Sequence, residues 1–251
     1  MEAQKIIITG GATRIGAAIA KKLSGRNIEI VIHFNKSKSK AIALRKILEK
    51  LGSKVYLVKG DLSKDKDITN IIKKARKKLK YFDCLINNAS IFENDKLSNF
   101  TSISWSKHID TNLKAPSQLS REFAKNIRGK NNNIINILDQ RVFKLTPFFF
   151  SYTLSKTGLY TLTKTSAMSF APNIRVNGIA PGPTIKNKRQ SDKHFKNQFM
   201  ATPLKKQVDV QEVCNAVDFF IKNASITGQV ISIDSGQSLN WQTPDILKGK
   251  E

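Results

Sequence analysis

Tyr152 and Lys156 stand four residues apart, and so do Tyr160 and Lys164. On a helix that spacing puts both side chains on one face, one turn from each other. A phenol with a pKa near 10 is a poor proton donor or base until a nearby cation stabilises its ionised form. Either pair could therefore move a proton at neutral pH. Four tyrosines and 34 lysines in 251 residues make such a spacing common by chance, so the pattern alone does not choose between them. A second chemical feature lies near the start, where Thr9-Gly10-Gly11-Ala12-Thr13-Arg14-Ile15-Gly16 joins an apolar run to a helical pattern. Glycines there let the backbone turn tightly and approach a pyrophosphate, which rests on the free N–H groups of the helix start. Arg14 keeps the run from being a G-x-G-x-x-G pattern.

These residues need a scaffold that brings distant loops together. Short apolar runs over 5–9, 28–34, 55–58, 84–87, 133–138, 174–179 and 230–234 read as strands. Segments of helical period fill 15–23, 40–51, 67–79, 103–127, 152–169 and 210–221. Ile- and Val-rich strands without polar alternation are buried on both faces, which predicts a parallel sheet covered by helices. The alternation gives an α/β fold: one Rossmann-type doubly wound domain over 1–251, with about seven strands and helices on both faces. The polar, Lys-rich stretch 184–204 has no clean period and is expected to be a mobile cover over a site.

Composition bounds the rest. The 43 basic and 19 acidic residues give a net charge of +24, which raises nucleic acid or an anionic membrane as partners. However, only 9 of the basic residues are Arg, and the lysines are scattered among 29 Ile and 20 Asn, as a genome-wide codon bias would leave them. Specific phosphate and base contacts favour the planar fork of Arg. The densest run, Lys73 to Lys80, reads as the polar face of a helix with Ile68, Ile71, Ile72, Ala75 and Leu79 inward. No specific nucleic acid and no membrane are expected. No apolar run approaches the roughly 18 residues of a membrane span. The acidic second residue argues against a signal peptide. Cys84 and Cys214, 130 positions apart, argue against a disulfide framework or zinc site. His33 reads as a packing residue of the second strand, and His108 and His194 have no carboxylate or Cys neighbours at ligand spacing, so no metal is expected and a cytoplasmic protein is the default.

The glycine turn begins a series of motifs. Its order matches T-G-x-x-x-(G or R)-x-G, and Asn87-Asn88-Ala89-Ser90 follows the fourth strand. Asn112 stands in Thr111-Asn112-Leu113-Lys114-Ala115-Pro116, followed by Tyr152-Thr153-Leu154-Ser155-Lys156, Arg175-Val176-Asn177 and Pro181-Gly182-Pro183-Thr184. In this order they resemble the short-chain dehydrogenase/reductase family, from Lys5 to about Leu239. The resemblance chooses Tyr152 over Tyr160, because Asp139 at the fifth strand's end lies 13 residues before Tyr152, the family's separation. Tyr160, eight residues further on, is rotated by about 80° and reads as a packing residue. Most of the family has Ser where Asp139 stands. Asp139, Arg14 and Ser90 together resemble the pteridine reductase and dihydromonapterin reductase branch.

What the resemblance implies is an NADPH-dependent reductase of a dihydropterin, with hydride passing to a C=N carbon and Tyr152 delivering the proton. Lys156 and Asp139 would help, and Asn112 would position a relay water. Gly10, Arg14 and Ile15 would border the phosphates, and Asp61 and Leu62 the adenine. His33, Asn35, Lys36, Ser37, Asn88, Ala89, Ser90, Pro181 and Gly182 complete the expected cofactor set, although His33 taken alone reads as a packing residue. Ser90, Phe92, Asp139, Tyr152 and Thr184 form the expected substrate set, with Phe92 stacking the pterin. A homotetramer is also implied. The residues themselves speak to the cofactor: a fold that selects NADH ends its second strand in Asp or Glu. Here His33-Phe34-Asn35-Lys36-Ser37-Lys38 carries no carboxylate before Glu49, and Lys36, Ser37 and Arg14 can bind a 2′-phosphate. A 3-oxoacyl or general carbonyl reductase is the alternative on the same fold, with a non-enzymatic nucleotide- or nucleic-acid-binding protein behind it.

Overall fold

Ile6, Ile7 and Ile8 are fully buried in β1 (Gln4–Ile8). Side chains alternate along a strand. Accordingly Ile6 and Ile8 pack into one core cluster and Ile7 into another on the opposite face. This is why the strands carry no polar alternation: each face has its own layer of helices. The computed structural model describes residues 4–187 and 189–241.

β1 is followed by α1 (Arg14–Leu23), β2 (Ile28–Phe34), α2 (Lys38–Lys50), β3 (Lys54–Lys59), α3 (Asp65–Leu79) and β4 (Cys84–Asn87). The second half runs α4 (Ser102–Ile109), α5 (Ala115–Ala124), β5 (Asn132–Ile137), α6 (Phe150–Phe170), β6 (Ile174–Pro181), α7 (Asp192–Met200), α8 (Val210–Lys222) and β7 (Val230–Ile233). All strand pairs are parallel, in the order β3-β2-β1-β4-β5-β6-β7. Residues of α1, α2 and α8 fill the Ile6/Ile8 side, and residues of α3, α5 and α6 the Ile7 side. α3 buries Ile68, Ile71, Ile72, Ala75 and Leu79 and leaves Lys73, Lys74, Lys77 and Lys78 exposed. The strand order reverses between β1 and β4, and in open α/β sheets ligands bind beyond the carboxyl ends of strands at such a point.

Two expectations need correction. The predicted helix over 103–127 is three pieces: α4, a π-helical turn at Asp110–Lys114, and α5. Pro116 has no N–H to give the carbonyl of Asn112, so an unbroken α-helix cannot pass through it. The stretch 184–204 is not wholly irregular, because α7 lies within it, capped by Ser191 and burying Phe195. Its single buried apolar residue left almost no periodic signal. Lys188 of this stretch lies outside the described residues.

Candidate functional site

The glycine turn is built from below. The Thr9 hydroxyl, at the end of β1, accepts the N–H groups of Asn88 and Ala89 at 3.0 and 3.1 Å and so locks the β1 and β4 loops together. Asn88 returns its amide to the carbonyls of Thr9 and Gly10 at 2.9 and 3.2 Å. Gly10 has φ +59°, and a Cβ there would lie 2.9 Å from the Ala89 Cα. Only glycine combines that left-handed backbone with so close an approach. His33 lies beneath, its Nδ1 accepting the Gly10 N–H at 3.2 Å and its Nε2 donating to the Gly60 carbonyl at 3.1 Å. Burial pushes its pKa down to about 4. Both ring nitrogens are spent, so the side chain braces the turn and has no polar atom left for a cofactor.

Above this turn opens a cavity of about 1030 Å³. Of the residues expected from sequence, Gly10, Arg14, Ile15, His33, Asn35, Asp61, Leu62, Asn88, Ala89, Ser90, Phe92, Asp139, Tyr152, Lys156, Pro181, Gly182 and Thr184 line it. Lys36, Ser37 and Asn112 do not. Lys36 is exposed at the end of β2, and its charge helps hold the Asp61 carboxyl below its ordinary range, after the hydrogen bond from the Ser63 backbone. Asn112 is fully buried in the π-turn. Its side chain accepts from Ser90 Oγ and the Ile91 N–H and donates to the Ile91 carbonyl and Ser155 Oγ, at 2.8 to 3.2 Å. No side-chain group remains for a relay water; the residue ties the β4 loop to α6. Thr184 likewise turns its hydroxyl to the Gly182 carbonyl at 3.0 Å.

Arg14 is the largest departure. Its guanidinium donates to the carbonyls of Ile185 and Lys186 at 2.8 and 2.9 Å, fastening the 184–204 stretch to the glycine turn.

The reactive end is formed by α6 and the end of β5. The Tyr152 hydroxyl donates to Asp139 Oδ2 at 2.9 Å. Burial first, and the Asp139 carboxylate second, push the phenol pKa well above its ordinary value. Lys156 donates from Nζ to the Ile137 carbonyl at 2.8 Å, and its Nζ lies 5.8 Å from the Tyr152 ring centre. Burial pushes this amine down to about 8, with Asp139 opposing. The sequence-based expectation that Lys156 stabilises the phenolate does not describe this state. The phenol holds its proton and points it at a carboxylate. Tyr160 packs edge-on against Phe143 at 5.7 Å, as a packing residue would.

Phe92 lies flat on Phe149 at 4.4 Å between ring centres and meets Tyr152 edge-on at 4.6 Å. One of its faces is thus already occupied, which narrows the stacking expected of it.

A family model described as enoyl-(acyl carrier protein) reductase matches residues 10–238. A 3-oxoacyl-(acyl-carrier-protein) reductase FabG of Chlamydia muridarum is 30% identical over 239 residues, covering 92% of this chain and 96% of that one. The chain belongs to the short-chain dehydrogenase/reductase family. Among solved structures, the NADP complex of FolM alternative dihydrofolate reductase 1 from Brucella canis is 39% identical, with TM-score 0.93 and 97% of each chain covered. A short-chain dehydrogenase of Burkholderia cenocepacia in complex with NADP is 25% identical, with TM-score 0.88, covering 94% of this chain and 98% of that one.

This short-chain dehydrogenase/reductase also has site residues that the sequence reading passed over. Phe149 and Arg141 line the cavity. Phe149 holds a left-handed backbone at φ +58°, uncommon for an aromatic residue, and it sits in the run Phe148-Phe149-Phe150 just before Tyr152. Behind Tyr152 lies a buried chain of hydrogen bonds. His108 Nε2 accepts the Glu93 N–H at 3.1 Å, which puts the proton on Nδ1, where it is donated to Ser151 Oγ at 2.7 Å. Ser151 Oγ donates in turn to Asp95. Sequence spacing gave no sign of it, because Asp95, His108 and Ser151 belong to three different segments.

Proposed function

We propose that this oxidoreductase uses NADPH to reduce a dihydropterin, Tyr152 delivering the proton to a ring nitrogen. The observation that carries the reading is the 2.9 Å hydrogen bond from the Tyr152 hydroxyl to Asp139, a carboxylate where most of the family has Ser. A phenol kept protonated by burial and by Asp139 suits a donor. The 39% identity to a protein named as an alternative dihydrofolate reductase supports the same branch.

The residues fit the dinucleotide. Gly10 leaves the turn after β1 without a side chain, and neither α1 nor α2 has an acidic residue in its first turn. Gly10 and Ile15 would meet the pyrophosphate, Lys36 and Ser37 the 2′-phosphate, and Asp61, Leu62 and Asn35 the adenosine end. Ala89, Ser90, Lys156, Pro181 and Gly182 would surround the nicotinamide half. Bound NADPH supplies the hydride for an electron-poor C=N carbon. Phe92 would pack against the pterin, and the 184–204 stretch would cover it. Any relay water would be held by the main-chain carbonyl of Asn112, which Pro116 leaves without an α-helical partner. A cytoplasmic homotetramer completes the reading, and light scattering on the purified protein tests the assembly.

NADPH oxidation screened against dihydromonapterin, dihydrobiopterin, dihydrofolate and a 3-oxoacyl thioester tests the substrate. The 3-oxoacyl reductase relatives at 27–30% identity favour the thioester as second reading, and turnover of the thioester alone would establish it. NADPH should exceed NADH by at least about tenfold in kcat/KM, since a charge-assisted hydrogen bond is worth roughly 1.5–3 kcal/mol. Lys36→Asp should reduce or reverse that preference. Equal use of both cofactors by the wild type would refute it.

A further inference from the structure

We propose that Arg141 is a positioning residue of the reaction, holding the Asp139 carboxylate in the rotation that turns one oxygen to the Tyr152 hydroxyl. This rests on Tyr152 as proton donor. Terminal torsions of carboxylates are broad, so an Asp at a strand end does not by itself present a given oxygen. Here Oδ1 accepts the main-chain N–H of Arg141 at 2.9 Å and the guanidinium Nη1 at 3.4 Å, while Oδ2 accepts from Tyr152 at 2.9 Å, so the side chain adds charge and a second donor to a backbone cap. The two oxygens have divided duties.

The arginine is itself held in place. Its guanidinium centre lies 4.8 Å from the Phe149 ring centre and 5.4 Å from that of Phe92. Only a flat, delocalised cation can rest on the stacked rings and face a carboxylate at once. The Arg141 side chain is 15% exposed, and its Nε is buried without a hydrogen-bond partner.

The chemistry gives the arrangement a use. When the Tyr152 oxygen passes its proton to the substrate nitrogen, the phenolate left behind stands next to the Asp139 carboxylate. Two negative charges then share one buried corner. Arg141, whose Nη1 lies 3.4 Å from Asp139 Oδ1, offsets them. In the resting site its charge pulls the phenol pKa down, against burial and Asp139, which push it up.

The test compares wild type, Arg141→Gln and Arg141→Lys on whichever of a dihydropterin or a 3-oxoacyl thioester the wild type reduces. Arg141→Gln should lose at least about tenfold in kcat while KM for substrate and NADPH stays within about threefold. Arg141→Lys, which keeps the charge without the fork, should fall between and remains informative if the Gln variant folds poorly. In a crystal structure of Arg141→Gln the Asp139 carboxylate, left with only the main-chain N–H on Oδ1, should rotate so that Oδ2 leaves the Tyr152 hydroxyl, and in Arg141→Lys it should do so less. An unchanged kcat, a loss confined to KM, or an Asp139–Tyr152 bond preserved in the variant crystals overturns the proposal. Wild-type turnover of the thioester but not the dihydropterin overturns the substrate reading alone.

Discussion

Tyr152→Phe is expected to remove at least about a hundredfold of kcat while leaving NADPH affinity within a few-fold, because general acid catalysis contributes roughly 10²–10⁴ in rate. The variant keeps the ring that meets Phe92 edge-on and loses only the hydroxyl on Asp139. Packing is therefore nearly conserved, and the loss reports the proton. Tyr160→Phe is the control. That ring stands against Phe143, and Lys164 Nζ lies 5.1 Å from its centre, so the same oxygen deletion should be nearly silent. Steady-state NADPH oxidation and fluorescence titration of NADPH check both. If the two variants exchanged behaviour, the reactive tyrosine would be misassigned.

How far the site could be read in advance depended on whether contacts were local. The sheet was legible because burial on both faces writes itself into each strand as an unbroken apolar run, as in Ile6-Ile7-Ile8. The glycine turn was legible for the same reason, since its backbone demand falls on consecutive residues. What was not legible are side chains whose partners lie far along the chain. Arg14 looked like a phosphate ligand, but its partners Ile185 and Lys186 are more than 170 residues away. Asn112 looked available for water, but Ile91 and Ser155 consume its amide. His108 looked isolated, yet Ser151 sits against it across 43 residues. In each case the residue type predicted a polar role, and only the fold decided which neighbour received it. The break at Asn112 had a local signal in Pro116.

Asp139 carries the distinction between the two substrate readings, and its variants should separate them. Asp139→Ala removes the acceptor of the Tyr152 proton and leaves Arg141 facing a cavity without its counter-charge. Dihydropterin turnover should fall by at least about a hundredfold, the range expected when an acid–base partner is lost. Because an unpaired charge buried beside two phenylalanines can also cost stability, Asp139→Asn and Asp139→Ser are the cleaner variants. The amide keeps the shape and removes the charge. The serine restores the residue most of the family has, with a hydroxyl that can donate to a carbonyl oxygen. It also removes the carboxylate that helps push the phenol pKa up, so the Tyr152 proton becomes easier to give. A ketone needs that proton on oxygen and has no use for a carboxylate partner, whereas the donor-rich edge of a reduced pterin does. Asp139→Ser should therefore lose dihydropterin activity and gain on simple ketones, seen as a reversal in the ratio of kcat/KM for the two. Unchanged dihydropterin kinetics in Asp139→Ala would reduce Asp139 to a cap on the short 3₁₀ turn that begins at Gln140 and would end the pteridine reading.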